Sequence, residues 1–235
     1  MVFLGLFISV RAQEKSYDTL AVVILDHMSA IIGDLNSCRF TLSVERDIND
    51  PQIGPVTNHD VNKVWFSGPD KLLVEGWGDR GHRGYWYNGK TLTWYSFSEN
   101  NYVVIPVPGT TIEMIDSVNE TYGIEFPAAD FFYPTLSDDL IEHSDYISFE
   151  GRKKVGDASC FHVIARSKEI TVQIWVSDEI MFLPVKFVIT YSGTKGDKRY
   201  EATFSDWQIN PSLPDAMFEF ALPPGAREVS ILPRK

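Results

Sequence analysis

The most constraining feature of the chain is an Asn-Gly pair, Asn88-Gly89, set between two alternating runs in "RGYWYNGKTLTWYSF", Arg83 to Phe97. Asn-Gly supplies the two positive-φ residues of a type I′ turn, and both flanks are rich in strand formers, so the segment is expected to be a β-hairpin. Alternation puts Tyr85 and Tyr87 on one face and Trp86 on the other. On the second arm Leu92 and Trp94 face one way, and Thr91, Thr93 and Tyr95 the other. Rings therefore fall on both faces. A sheet with one wet face would read apolar in and polar out, so each face of this hairpin must be at least partly covered. The ordinary cover is the protein's own core, which aromatic side chains dominate; the sharper alternative is a cavity whose wall the rings form.

The same turn-punctuated pattern extends both ways. "CRFTLSVERDI" alternates cleanly, and "VNKVWFSG", "KLLVEGWG" and "YVVIPVP" are short strand-like runs separated by turn residues, an antiparallel meander. Before them, "SYDTLAVVILDHMSAIIGDL" has helical spacing at Leu20, Val23, Ile24, Met28, Ile31 and Ile32, with Asp18 as a cap and Gly33 as a stop. After them, "TTIEMIDSVNETYG" starts on a capping box from Thr110 to Glu113 and ends at Gly123, a second helix interrupting the sheet. The proline-punctuated "IEFPAADFFYPTLSDDL" reads as a short helix or packed flap, and from Tyr146 the strands resume. Ten to twelve strands are more than a flat open sheet carries comfortably, so the sheet is expected to curl.

Composition narrows the function. A net charge of −11 opposes nucleic-acid binding, and the basic cluster Arg152-Lys153-Lys154 reads as a solvated turn. The opening "MVFLGLFISVRAQ" reads as a secretory leader over residues 1–12, leaving 13–235 as one domain in an oxidising compartment. No later segment approaches the length of a membrane span, so the mature chain is expected to be soluble, with no transmembrane segment. Cys38 and Cys160 permit one disulfide, although buried free thiols are the default. The five histidines form none of the short pairs common in metal sites, and His162 beside Cys160 reads as a core histidine rather than a ligand. Neither a nucleophile elbow nor a phosphate loop nor a dinucleotide fingerprint is present, so the expectation is a non-enzyme without metal or cofactor.

Longer phrases carry a resemblance. "YNGKTLTWYSFSENNYVVIPVPGTTIEMIDSVNETYGIEFPAADFFY", "KVGDASCFHV", "VQIWVS" and "LPVKFVIT" resemble the DUF2092 family of predicted periplasmic proteins. The closing "PDAMFEFALPPGA" is similar to a terminal phrase of the LolA/LolB lipoprotein-carrier superfamily, matched at Asp215, Phe218, Phe220, Pro223, Pro224 and Gly225. The resemblance implies a mainly β, α+β fold: a strongly curved antiparallel sheet forming a half-open β-barrel, with helices packed in its mouth as a lid. It also implies an apolar cavity for a lipid or lipoprotein acyl chain. The basic residue with which the carriers latch their lid matches no position here. On this reading Phe40, Leu42, Val44, Phe66, Leu92, Trp94, Ile174, Phe187 and Ile189 form the wall, and Ile115, Val118, Phe131 and Phe132 the lid. The facing rests on register, which a one-residue slip would reverse. The alternatives are an envelope protein-interaction or sensor module with a filled barrel core and, behind it, an unrecognised hydrolase with a polar cleft.

Overall fold

The computed structural model describes residues 15–193 and 198–234; the leader expected over 1–12 lies outside them. Thirteen strands form one sheet, in the order β1-β8-β9-β10-β11-β12-β2-β3-β4-β5-β6-β7-β13. The first half of the chain contributes β1 (Ser16–Tyr17), α1 (Thr19–Gly33), β2 (Ser37–Asp50), β3 (Gly54–Ser67), β4 (Lys71–Gly78), β5 (Arg83–Tyr87), β6 (Thr91–Ser96) and β7 (Asn101–Pro106). Next come α2 (Thr111–Tyr122), a 3-10 turn at Ala129–Phe132 and α3 (Leu136–His143). The second half adds β8 (Tyr146–Val155), β9 (Ala158–Arg166), β10 (Ile170–Ser177), β11 (Pro184–Tyr191), β12 (Lys198–Ile209), a 3-10 turn at Asp215–Phe218 and β13 (Arg227–Glu228).

The sheet is antiparallel except at its ends, where β1 pairs with β8 and β13 with β7 in parallel. Those two end strands do not meet, so the sheet is curved but not closed into a barrel. The halves join where β12 pairs with β2, and register shifts in β8, β10 and β12 supply bulges that bend the strands.

Helix ends follow the sequence signals. The Asp18 carboxylate accepts from the Leu20 amide at 2.8 Å, and Thr110 and Glu113 close a reciprocal capping box. Gly123 ends α2 in the left-handed region at φ 67°. The buried stripe of α1 is Ala21, Ile24, Leu25, Met28 and Ile32, while Leu20 and Val23, expected to face inward, are exposed. Arg152-Lys153-Lys154 lie within β8 next to its register shift, not in a turn; their side chains are exposed and Arg152 pairs with Asp178 at 3.2 Å.

Both faces of the aromatic hairpin are covered by protein. On the concave face Tyr87 and Leu92 are fully buried in the main core and Tyr85 packs edge-on to Phe126 at 5.2 Å. On the convex face the C-terminal segment lays Phe220 against Trp86, Tyr95 and Tyr102, at 5.1, 5.3 and 5.9 Å. The Trp86 indole folds back over Gly84, where a Cβ would meet the ring at 2.3 Å, so any larger residue there would force the indole to move. Cys38 and Cys160 are free and buried; burial pushes their thiols up to about 12 and about 11. His162 stacks on Trp175 at 4.3 Å and shares a hydrogen bond of 3.2 Å with Gln173, as a core histidine does; burial lowers its pKa.

Candidate functional site

Cross-strand register defines the concave face. One row of neighbours runs Phe149, Val163, Ile174, Phe187, Ala202 and Val44 across six strands. The segment from α2 to α3 lies over this row. Its two phenylalanines act as a wedge: Phe132 meets Phe66 at 5.2 Å and Phe40 at 6.2 Å, and Phe131 meets Phe187 at 4.9 Å and Phe204 at 5.3 Å. Phe40, Leu42, Phe66, Leu92, Val118 and Phe132 thereby belong to the packed core, and none of them borders either of the cavities beside it.

Two adjoining cavities remain beside this core. The first, about 670 Å³, is bordered by Val44, Ile115, Phe187 and Ile189 together with many polar side chains, among them Arg46, Asn62, Arg80, Asp130 and Tyr200. The second, about 730 Å³, is bordered by Phe131, Leu136, Leu140, Val172, Ile174, Phe187 and Ile189 together with polar side chains, among them Asp116, Asp130, Asp139, His143 and Lys168. Asp116, Asp130, Tyr133, Phe187 and Ile189 border both. The Tyr133 hydroxyl donates to Asp116 at 2.5 Å at this junction, and burial raises the pKa of both Tyr133 and Asp130.

Of the thirteen residues expected at the wall and lid, Val44, Ile115, Phe131, Ile174, Phe187 and Ile189 border a cavity. Trp94 borders neither; it is half-buried on β6, opposite Tyr85 and Val103.

Sequence reasoning missed the polar lining. Arg46 continues the phase of Phe40, Leu42 and Val44; Asn62 shares that of Val64 and Phe66; Tyr200 shares that of Ala202 and Phe204. That phase was the available signal, since a polar residue in step with a buried row must face inward. Asn62 is 2% exposed, and its amide oxygen lies over Gly76, where a Cβ would come within 2.5 Å of it. Asp60 is buried and accepts from Nε and Nη2 of Arg80, a residue that borders the first cavity, at 2.8 and 2.7 Å, with Arg83 Nη2 at 3.4 Å. Arg46 Nη1 reaches Glu125, in the segment after α2, at 3.4 Å. Glu125 is 63% exposed, so this pair contributes little stability, about 0–1 kcal/mol. Among the described residues, no group of three or more His, Cys, Asp or Glu side chains could hold a metal ion, and no helix is long and apolar enough to cross a membrane.

The architecture recurs among solved structures. Lipoprotein LppX from Mycobacterium tuberculosis is 11% identical with a TM-score of 0.53, covering 84% of this chain and 98% of its own. LprF from Mycobacterium bovis is 11% identical with a TM-score of 0.52, covering 90% and 99%. An uncharacterised conserved protein from Thermus thermophilus is 13% identical with a TM-score of 0.51, again covering 90% and 99%. At these identities the likeness is one of fold. No curated protein matches the sequence. The family profile of predicted periplasmic proteins, DUF2092, matches residues 21–232, nearly the whole chain. The chain belongs to the DUF2092 family of predicted periplasmic proteins.

Proposed function

We propose that this protein is a non-enzymatic periplasmic binding protein that holds the acyl part of a lipid or lipoprotein. In this reading the curved sheet is a half-open barrel, and α2, the 3-10 turn and α3 are the lid in its mouth. The observation that carries it is the cavity of about 730 Å³ between lid and sheet, with Phe131, Leu140, Val172, Ile174 and Ile189 in its wall. That volume is in the range of small-molecule sites, and each methylene transferred from water into such a wall gains about 0.8 kcal/mol. Affinity therefore accumulates along an acyl chain without a catalytic group. Release requires the lid segment to move. Its wedge residues, Phe131 and Phe132, are held by apolar packing, which a displacement of α3 would loosen.

The test uses the rod-shaped apolar fluorophore diphenylhexatriene. The delipidated protein is expected to take it up with a large gain in emission. Val172→Asp, which sets a carboxylate in the cavity wall at a half-buried position, is expected to lower its affinity at least tenfold. A wild-type protein that leaves the fluorophore in water would remove the cavity reading and favour an envelope protein partner.

A further inference from the structure

Three buried polar atoms, on residues that border the first cavity, have no hydrogen-bond partner among the described residues: Asn62 Nδ2, Arg46 Nε and the Tyr200 hydroxyl. The Ala128 amide lies near the Tyr200 oxygen and slightly favours its ionised form, but makes no hydrogen bond of proper geometry with it. Buried donors without acceptors are rare and costly, and three of them on residues that border one cavity call for a partner that fills it. Burial raises the Tyr200 pKa, which keeps its proton in place as a donor.

The kind of partner follows from what the neighbouring charges already do. Arg46 faces Glu125, Arg80 faces Asp60, and Arg199 faces Glu201. The carboxylates Asp47, Asp116, Glu120, Glu125 and Asp130 also border the cavity. Five carboxylates thus border the cavity against four cations, Arg46, Arg80, Lys198 and Arg199, so a ligand bearing a full negative charge would meet no net positive lining. The unmet demand is instead for acceptor oxygens, two of the three donors being uncharged. An ester carbonyl meets that demand without adding charge.

We infer that the first cavity receives the uncharged ester end of an acyl ligand, with Asn62, Tyr200 and the Nε–H of Arg46 donating to its oxygens while the chain runs into the second cavity. The inference rests on the acyl-binding reading, and at the junction, where Asp116, Asp130 and Tyr133 also border both cavities, Phe187 and Ile189 give the chain an apolar side to follow.

The experiment compares 1-monoolein with oleate, which share a chain and differ at the head, by displacement of bound diphenylhexatriene from delipidated protein at pH 8. Monoolein is expected to bind at least about tenfold more tightly than oleate. Asn62→Leu and the more conservative Tyr200→Phe are each expected to weaken monoolein about fivefold to tenfold, the size of one lost hydrogen bond to a buried donor, and to leave oleate within about twofold. Asn62→Leu should melt no lower than wild type, because it removes an unpaired donor from the ligand-free protein; Tyr200→Phe decides the matter if Asn62→Leu does not fold. Oleate binding as tightly as monoolein, or monoolein affinity untouched in the folded variants, overturns the inference and leaves the cavity reading standing. A protein that never takes up the fluorophore overturns both.

Discussion

Asp60→Ala is expected to destabilise the protein by about 3 kcal/mol, read as a lower urea midpoint with an unchanged slope. The Asp60 side chain is 2% exposed and meets two guanidinium groups, Arg80 and Arg83. Removing one partner of a buried ion pair costs about 3–5 kcal/mol, chiefly because the other charge is left without compensation. Arg83, 11% exposed, would bear that cost, whereas Arg80, 41% exposed, can turn toward water, so the low end of the range applies. The cluster is sterically tight: a Cβ at Gly78 would lie 2.6 Å from Asp60 Oδ1 and 2.1 Å from the His59 carbonyl oxygen. A loss below about 1 kcal/mol would mean that the charges are solvated and the site is looser than described.

The second large effect is expected on the opposite face. Phe218, in the 3-10 turn after β12, is 1% exposed and belongs to the C-terminal segment that covers the convex side of the hairpin region. Phe218→Ala is expected to cost about 3–5 kcal/mol, as for other phenylalanines emptied from a core. Phe220→Ala should cost less, since that ring is half-buried, lying on Trp86, Tyr95 and Tyr102. Equal and small losses would show that the segment detaches readily. Because Phe218 borders neither cavity, its replacement should leave fluorophore affinity unchanged in whatever fraction remains folded.

The two faces of the hairpin show what the sequence could and could not tell. Alternation around Asn88-Gly89 correctly required cover on both sides, and the closing phrase with Phe218 and Phe220 was visible as a resemblance. Nothing local said that this phrase was the cover. A contact between Trp86 and Phe220 spans more than half the chain, and pattern within a strand carries no such information. The capping box of α2 was legible because its partners are three residues apart, whereas the inward stripe of α1 was misjudged. There Leu20 and Val23 sit in an apolar run long enough to support more than one face, and only packing against α3 and β8 selects Ala21, Leu25 and Met28.

The candidate site divides in the same way. Ile174, Phe187 and Ile189 were legible as facing the concave side because their strands are apolar and their phase is clear. Which concave residues pack as core and which border empty space depends on where the Phe131–Phe132 wedge lands, a tertiary outcome. Asn62, Arg46 and Tyr200 went unread because polar residues in strands are ordinarily assigned to water. Their phase with Phe66, Val44 and Phe204 placed them inward, and the structure turns that conflict into the polar end of the cavity.

The most direct test of the acyl-binding account is native mass spectrometry of the protein purified from its own envelope, followed by organic extraction of whatever it carries. The account predicts one acyl lipid per chain, lost on extraction and restored on incubation with the extract. A chain of bare polypeptide mass that regains nothing from the extract would contradict it.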